Sequence, residues 1–297
     1  MTSLSARVLK TFVRRTIKAS PDSPQGLVRH LRRHFNAAPL PWLTAMGVTH
    51  LTRQVAGIGV DMLQPRQTQA AVLYLHGGGF VAGVARTYFN LCSSWARHLD
   101  LAIWLPDYRL APEHPYPAAL DDAHSVYLAM LQHFSAQQLV IAGDSAGGAL
   151  ALSLLLRLRD EGRPLPAAAI AISPYADLSN SVNSRIRCNA SDDMLSLDML
   201  HVGRDLYLAG ADPRHPYASP LFGDYHGLPP LWLSCSASEC FADDAVEVAR
   251  RARAAGVHVD LLQRPDMPHV WPIFHPFIAE ARADQRDLLR FLRAHLN

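Results

Sequence analysis

The 297-residue sequence predicts an α/β fold built on a mostly parallel central sheet flanked by helices, and three observations predict it. From about residue 54 onward, short apolar runs alternate with helical or turn segments, as parallel βαβ units require. Each run is followed by a turn or a polar residue, as a buried strand should be. One long interval, between Ser173 and Leu231, interrupts the alternation and marks an insertion such as a lid over one edge of the sheet.

The elements follow in chain order. Leu4, Val8, Phe12 and Ile17 recur at near-helical spacing with basic residues between them, and Pro24 to Phe35 continues in the same style, so two N-terminal helices are expected. A basic amphipathic helix either lies on a membrane surface or packs its apolar stripe on its own domain; the second is the expectation here. Buried strands are expected at Ala71 to His76, Leu101 to Pro106, Leu139 to Gly143, Ala168 to Ser173, Leu231 to Cys235 and Val257 to Gln263. Helices are expected at Ala146 to Arg159 and Ala242 to Ala255. Inside the long interval, Ser179 to Asp193 is polar and irregular, whereas Ser196 to Ala209 reads as helical.

Composition narrows the function. Apolar residues make up 49% and charged residues 18%, which excludes extensive disorder. With 28 Lys plus Arg against 26 Asp plus Glu, the whole chain offers no sustained field for a polyanion, so nucleic acid is not an expected partner. Cys92, Cys188, Cys235 and Cys240 are too sparse for a disulfide scaffold and form no C-x-x-C pair, which fits a reducing compartment. Met1 to Ser20 is interrupted by Arg7, Lys10, Arg14, Arg15 and Lys18 and lacks the apolar core of a signal peptide. No stretch reaches the roughly 18 uncharged apolar residues of a membrane span. A cytoplasmic protein with no integral-membrane segment is expected.

The chemistry concentrates in four segments. Gly143-Asp144-Ser145-Ala146-Gly147 satisfies G-x-S-x-G between an expected strand and an expected helix. A sharp turn there lifts the Ser145 oxygen out at the carboxyl edge of the sheet, above a helix N-terminus that favours developing negative charge. The bland alternative is a glycine-rich turn in which Ser145 only caps the helix. His76-Gly77-Gly78-Gly79-Phe80 follows a strand and lets backbone N–H groups converge on an oxyanion. The same loop also fits a dinucleotide fingerprint through Gly77, Gly79 and Ala82 with Asp107 downstream, a reading that leaves Ser145 unexplained.

A serine needs a histidine base and a carboxylate to orient it. His269 follows the last expected strand and would reach the same edge as Ser145. The carboxylate should follow Leu231 to Cys235, where Glu239, Asp243 and Asp244 are available. Glu239 lies on the loop itself, whereas the two aspartates open the next helix, where acids serve the helix dipole. His30 and His34 sit at i, i+4 but lack the glutamate of H-E-x-x-H and have two arginines between them, so no metal site is expected.

On His76-Gly77-Gly78-Gly79, Asp107-Tyr108-Arg109-Leu110-Ala111-Pro112-Glu113, Gly143-Asp144-Ser145-Ala146-Gly147 and Met267-Pro268-His269, the chain resembles the hormone-sensitive-lipase-like, or bacterial family IV, esterases of the α/β-hydrolase superfamily. The resemblance implies an α/β-hydrolase fold with a helical cap. It implies a Ser145 nucleophile, a His269 base and an oxyanion hole from the N–H groups of Gly78, Gly79 and Ala146. It also implies that Asp107 to Asp122 braces the oxyanion loop. The family commonly places an aspartate in an Asp-Pro-Leu-like motif that lines up here with Glu239-Cys240-Phe241, which leaves Asp243 a rival acid and Cys240 in the place of a proline.

The domain organisation expected is N-terminal cap helices in residues 1–50 and an α/β-hydrolase catalytic domain in 51–297, with a cap insertion at about 180–220. The expected activity is hydrolysis of short to medium acyl carboxylic esters through an acyl-enzyme, with no cofactor. Lactone or amide and acetyl hydrolysis by the same triad is the alternative. A non-catalytic receptor on the same fold is disfavoured by the retention of Ser145 and His269. The expected partners are a small-molecule ester and a second copy, since esterases of this type pair through an exposed sheet edge or the last helix.

Overall fold

A computed structural model describes residues 2–20, 22–36 and 44–296. Of the expected N-terminal span 1–50, Met1, Pro21 and residues 37–43 lie outside the described residues.

The chain runs through helices α1 (Leu4–Thr16) and α2 (Pro24–Phe35), strands β1 (Val48–Val55), β2 (Ile58–Pro65) and β3 (Ala70–Leu75), and helix α3 (Phe89–Leu99). Strand β4 (Leu101–Pro106), α4 (Ala118–Met130), β5 (Leu139–Asp144), α5 (Ala146–Asp160) and β6 (Ala168–Ile172) follow. Then come α6 (Ser184–Arg187), α7 (Leu197–Leu208), β7 (Leu231–Ser236), α8 (Ala242–Ala254), β8 (Val259–Arg264) and α9 (Ala279–His295). The eight strands form one sheet in the order β1-β2-β4-β3-β5-β6-β7-β8, antiparallel from β1 through the β2/β4 pair and parallel from there on.

All six expected strands are present within two residues at each end. The hairpin β1–β2 is an addition, and it moves the start of the sheet from residue 54 back to Val48, so the expected 50/51 boundary falls inside β1. Strand β1 escapes an apolar-run criterion because it is a sheet edge exposed along most of its length. Its turn is tight: Ala56 and Gly57 both have positive φ, the two-residue geometry that matches strand twist, and set Val55 opposite Ile58.

Alternation along the strands divides the core. Leu73, Ile141, Ala171 and Leu233 face a layer with α4, α5 and α8, while Tyr74, Val140, Ile170 and Trp232 face α3 and α9. Helix α5 is apolar almost all round and buries 12 of its 15 residues, as a helix packed on the sheet centre must. The register places Leu75 opposite Gly143, Asp144 opposite Ile172 and Ser236 opposite Arg264. The loops leaving β3, β5, β7 and β8 therefore share one edge of the sheet.

The N-terminal helices form as expected, each capped by a serine whose side chain accepts from the helix's first turn, but α1 presents an unexpected face. Leu4, Val8 and Phe12 do not pack on the domain; they are 71, 61 and 48% exposed. The small residue Ala6, with Val13 behind it, is buried instead, which lets α1 approach the start of α9 and the Trp271 loop closely. Of the expected stripe, Ile17 alone turns toward the interior pocket. Helix α2 packs against α7, so the N-terminal segment and the insertion meet.

Candidate active site

Between β5 and α5 the chain reverses direction at Ser145, whose φ of 53° and ψ of −119° are strained for any residue with a side chain. The flanking glycines are dictated by contact. A Cβ on Gly147 would lie 2.0 Å from the Leu75 carbonyl oxygen, and one on Gly143 would lie 2.3 Å from that of Gly147. The turn thus presses α5 against β3 and leaves Ser145 at the carboxyl tip of the strand, facing the pocket.

His269 and Glu239 arrive on the neighbouring loops. A buried carboxylate accepts from His269 Nδ1–H at 2.6 Å through Glu239 Oε2, so Nε2 is left to accept from the Ser145 hydroxyl at 2.9 Å. The second Glu239 oxygen accepts from the Ser236 N–H at 2.8 Å, which fixes the carboxylate. His269 and Glu239 are 2 and 1% exposed. Burial disfavours the imidazolium, but the Glu239 hydrogen bond and the charges of Glu239, Asp192 and Asp144 outweigh it and hold His269 above its ordinary value of 6.5. Asp243 lies elsewhere: it pairs with Arg187 at 2.6 Å and accepts from the Ser184 N–H at 2.8 Å. Asp244 is also removed, paired with Arg185.

The loop after β3 brings Gly78 and Gly79 onto the pocket wall beside Ser145, while Ala146 is the first residue of α5. Gly78 has φ of 120° and a Cβ there would lie 2.0 Å from the Ala82 carbonyl oxygen, so the loop closes only on glycine. No α-helix opens from this loop until Phe89, after a single 3-10 turn at Ala85–Tyr88, which removes the tight strand-turn-helix context of a dinucleotide site. Behind it, the Tyr108 hydroxyl donates to the His76 carbonyl at 2.6 Å, and Ala111 N–H donates to the Phe80 carbonyl. Arg109 holds the same stretch through paired bonds to Asp122. Burial drops His76 to about 4, so it stays neutral under the loop. His30 and His34 direct ring nitrogens to the carbonyls of Ile17 and His30, and no group of three metal ligands occurs among the described residues.

Sequence reasoning missed the groups that support these residues. Asp144 is 1% exposed and accepts from the Tyr74 and Tyr88 hydroxyls and from the Gly77 N–H, tying the serine turn to the oxyanion loop. Burial pushes it up to about 7, against the pull of the His269 charge and those donors. Its place beside the serine was the only signal. Asp192 had none. One of its oxygens accepts from the N–H groups of Met194 and Leu195, and the other accepts from Cys240 N–H at 2.8 Å. Cys240 stands where a proline is common, and it supplies a donor that proline lacks.

The pocket above Ser145 is walled from three sources: Ile17, Leu31 and Phe35 from the N-terminal segment, Met194, Leu195, Met199 and Leu200 from the insertion, and Tyr175 and Phe241 from the sheet edge. It is mostly apolar, with His34, Arg86, Thr87 and Asn90 adding polar side chains to the wall, as a site for an uncharged acyl substrate should be. Lys18 Nζ donates to the carbonyls of Asn189 and Asp192, and Ser196 Oγ donates to that of Ala19, joining the two covering segments.

Comparison with known proteins identifies the family. A family model described as alpha/beta hydrolase fold matches residues 72–273. An acetyl-hydrolase of Streptomyces hygroscopicus is 41% identical over 229 residues, covering 77% of each chain. An esterase of Acinetobacter venetianus is 34% identical over 242 residues, covering 80% of each. A crystallised esterase of the bacterial hormone-sensitive lipase family superposes with a TM-score of 0.91 at 32% identity over the full length of both chains. The chain therefore belongs to the hormone-sensitive-lipase-like esterases of the α/β-hydrolase superfamily, and it is a carboxylic ester hydrolase.

Proposed function

We propose that ester hydrolysis here runs through Ser145 as nucleophile, His269 as general base and then acid, and Glu239 as the carboxylate that orients and charges the base. The observation that carries this reading is the continuous relay from Glu239 through His269 to Ser145, at 2.6 and 2.9 Å. His269 Nε2 takes the hydroxyl proton as Ser145 Oγ attacks the ester carbonyl. The tetrahedral oxyanion is held by the N–H groups of Gly78, Gly79 and Ala146, the last at a helix N-terminus. Collapse expels the alcohol, which takes the proton from His269, and water then repeats the sequence on the acyl-enzyme to release the acid.

The N-terminal helices and the insertion act as a cap that bounds the apolar pocket, which supports short to medium acyl chains. Four free, buried cysteines support a cytoplasmic location. The edge strand β8 supports pairing with a second copy. A p-nitrophenyl ester series of increasing acyl length, run beside lactone, acetyl-ester and anilide substrates, tests the substrate class. A maximum at short or medium chains is the expected result, and a maximum at long chains would overturn it. The acetyl-hydrolase relative favours acetyl groups as the second reading.

Two variants test the acid. Glu239→Ala is expected to lower kcat on the order of 10⁴-fold, as loss of an orienting carboxylate does. Asp243→Ala should stay within a few-fold of wild type, because it removes a partly exposed pair with Arg187 and a hydrogen bond from the Ser184 N–H, both away from His269. The reverse order would assign the role to Asp243. The pH profile adds a sign. His269 must be neutral to act as base, and it is held above 6.5, so kcat/KM should fall as pH drops through a midpoint above 6.5. Glu239→Gln removes the charge that raises it, so the midpoint should move to lower pH as the plateau falls. A midpoint that stays in place would separate Glu239 from the base.

A further inference from the structure

We propose that the outer face of α1 docks this enzyme on an anionic lipid surface, as a peripheral contact beside the pocket that receives the acyl chain. The orientation of α1 carries the inference. Leu4, Val8 and Phe12 fall at i, i+4 and i+8, form one stripe and point outward. Polar contacts pin the helix in that orientation from the other side. Lys10 bridges Asp193 and Asp266, Arg14 Nε donates to Asp193 at 2.9 Å, and Ser3 N–H donates to Glu280 at 2.7 Å. The apolar stripe is therefore held away from the protein's own core by a set of specific bonds.

Charge complementarity identifies the occupant. The sequence of α1 contains no acidic residue. Eight of the chain's 28 Lys plus Arg and one of its 26 Asp plus Glu fall in residues 1–36, so the first segment is net +7 and the remainder net −5. Lys10, Arg14 and Arg32 pair with Asp193, Asp266 and Glu113, so the positive excess of this segment rests on its other cations, Arg7 and Arg15 among them. Arg15 shares the face of the apolar stripe and Arg7 borders it; both are exposed, and neither forms an ion pair with an acid among the described residues. An apolar stripe with basic residues in and beside it is the pattern of an interfacial helix, whose apolar side chains enter the headgroup boundary while the cations meet lipid phosphate. Each such cation strengthens binding on the order of fivefold near an anionic leaflet. No described helix is long and apolar enough to cross a membrane, so the contact is peripheral. Ile17, at the end of α1, lines the pocket, which places the docking face next to the route of a lipophilic acyl chain; that last step rests on the proposed ester substrate.

The test is co-sedimentation of the full-length protein with phosphatidylcholine vesicles with and without phosphatidylglycerol. Wild type should bind the anionic vesicles, bind neutral ones at least about tenfold more weakly, and be released by salt. The variant Leu4→Ser/Val8→Ser/Phe12→Ser should lose at least about tenfold in vesicle binding, since its changes lie on the exposed face. It should hydrolyse a dissolved p-nitrophenyl ester at the wild-type rate. Failure of wild type to bind anionic vesicles, or undiminished binding by the triple variant, would overturn the proposal. A wild-type dimer that becomes monomeric in the triple variant would also overturn it and assign the stripe to a second copy. Vesicle binding is read without turnover, so an inactive wild type would count against the ester reading and not against docking.

Discussion

Ser145→Ala is expected to lower ester turnover by roughly 10⁴- to 10⁶-fold while leaving the protein folded. The change deletes one buried oxygen whose only hydrogen-bond partner among the described residues is His269 Nε2 at 2.9 Å, and it keeps the Cβ that the turn already accommodates at φ 53°. Stability should therefore hold or rise slightly, because a strained polar group has been removed from a functional turn. What remains is catalysis by the oxyanion donors and the pocket alone, which in serine hydrolases still exceeds the reaction in water. The measurement is kcat on the best p-nitrophenyl ester, with the melting temperature as the folding control. A folded variant within about a hundredfold of wild type would remove Ser145 from the reaction.

Arg185→Ala should have the largest effect on stability, on the order of 3–5 kcal/mol. Arg185 is 1% exposed and its guanidinium stacks 5.1 Å from the Tyr175 ring and 4.6 Å from that of Phe241. It pairs with the fully buried Asp244 at 2.7 Å and donates to the carbonyls of Cys240 and Asp177. Alanine would leave Asp244 buried without its counter-charge, at a position where burial already pushes the carboxyl up to about 6. It would also open a cavity behind Phe241, whose ring meets that of His269 at 5.1 Å. Equilibrium urea unfolding measures the loss. The double change Arg185→Met/Asp244→Leu should recover much of it, because an apolar pair replaces a buried charge pair without orphaning either member. A single alanine variant as stable as wild type would overturn the prediction and show that the site tolerates Asp244 without its counter-charge.

The parts of the site legible in the sequence are those where backbone contact permits few residue types. Gly143 and Gly147 are fixed by approaches of 2.0 to 2.3 Å, and Gly78 by a loop that closes on itself, so these segments stand out as strings. His269 and Glu239 follow from where a parallel sheet delivers its loops. Asp192 and Arg185 were hidden because they lie inside a stretch that reads only as polar and irregular, and the partners that give them their role, Cys240 and Asp244, are 48 and 59 positions away. Helix α1 shows a different limit. It has apolar residues on two faces, and periodicity does not say which one packs; the small side chain of Ala6 decides it.

The Asp192 carboxylate holds the pocket wall at Met194 and Leu195 with one oxygen and the loop of Glu239, the proposed acid, with the other. Two properties that an engineer would wish to vary separately thus depend on one side chain. Grafting the 189–200 segment from a relative with a different acyl preference imports a new wall, but it also imports whatever grips the acid loop. Chimaeras whose donor carries proline at the position of Cys240 would lose that grip and trade turnover for selectivity. Point changes at Met199 and Leu200, which line the pocket and are not among the residues that hydrogen-bond the Asp192 carboxylate, offer the modular route.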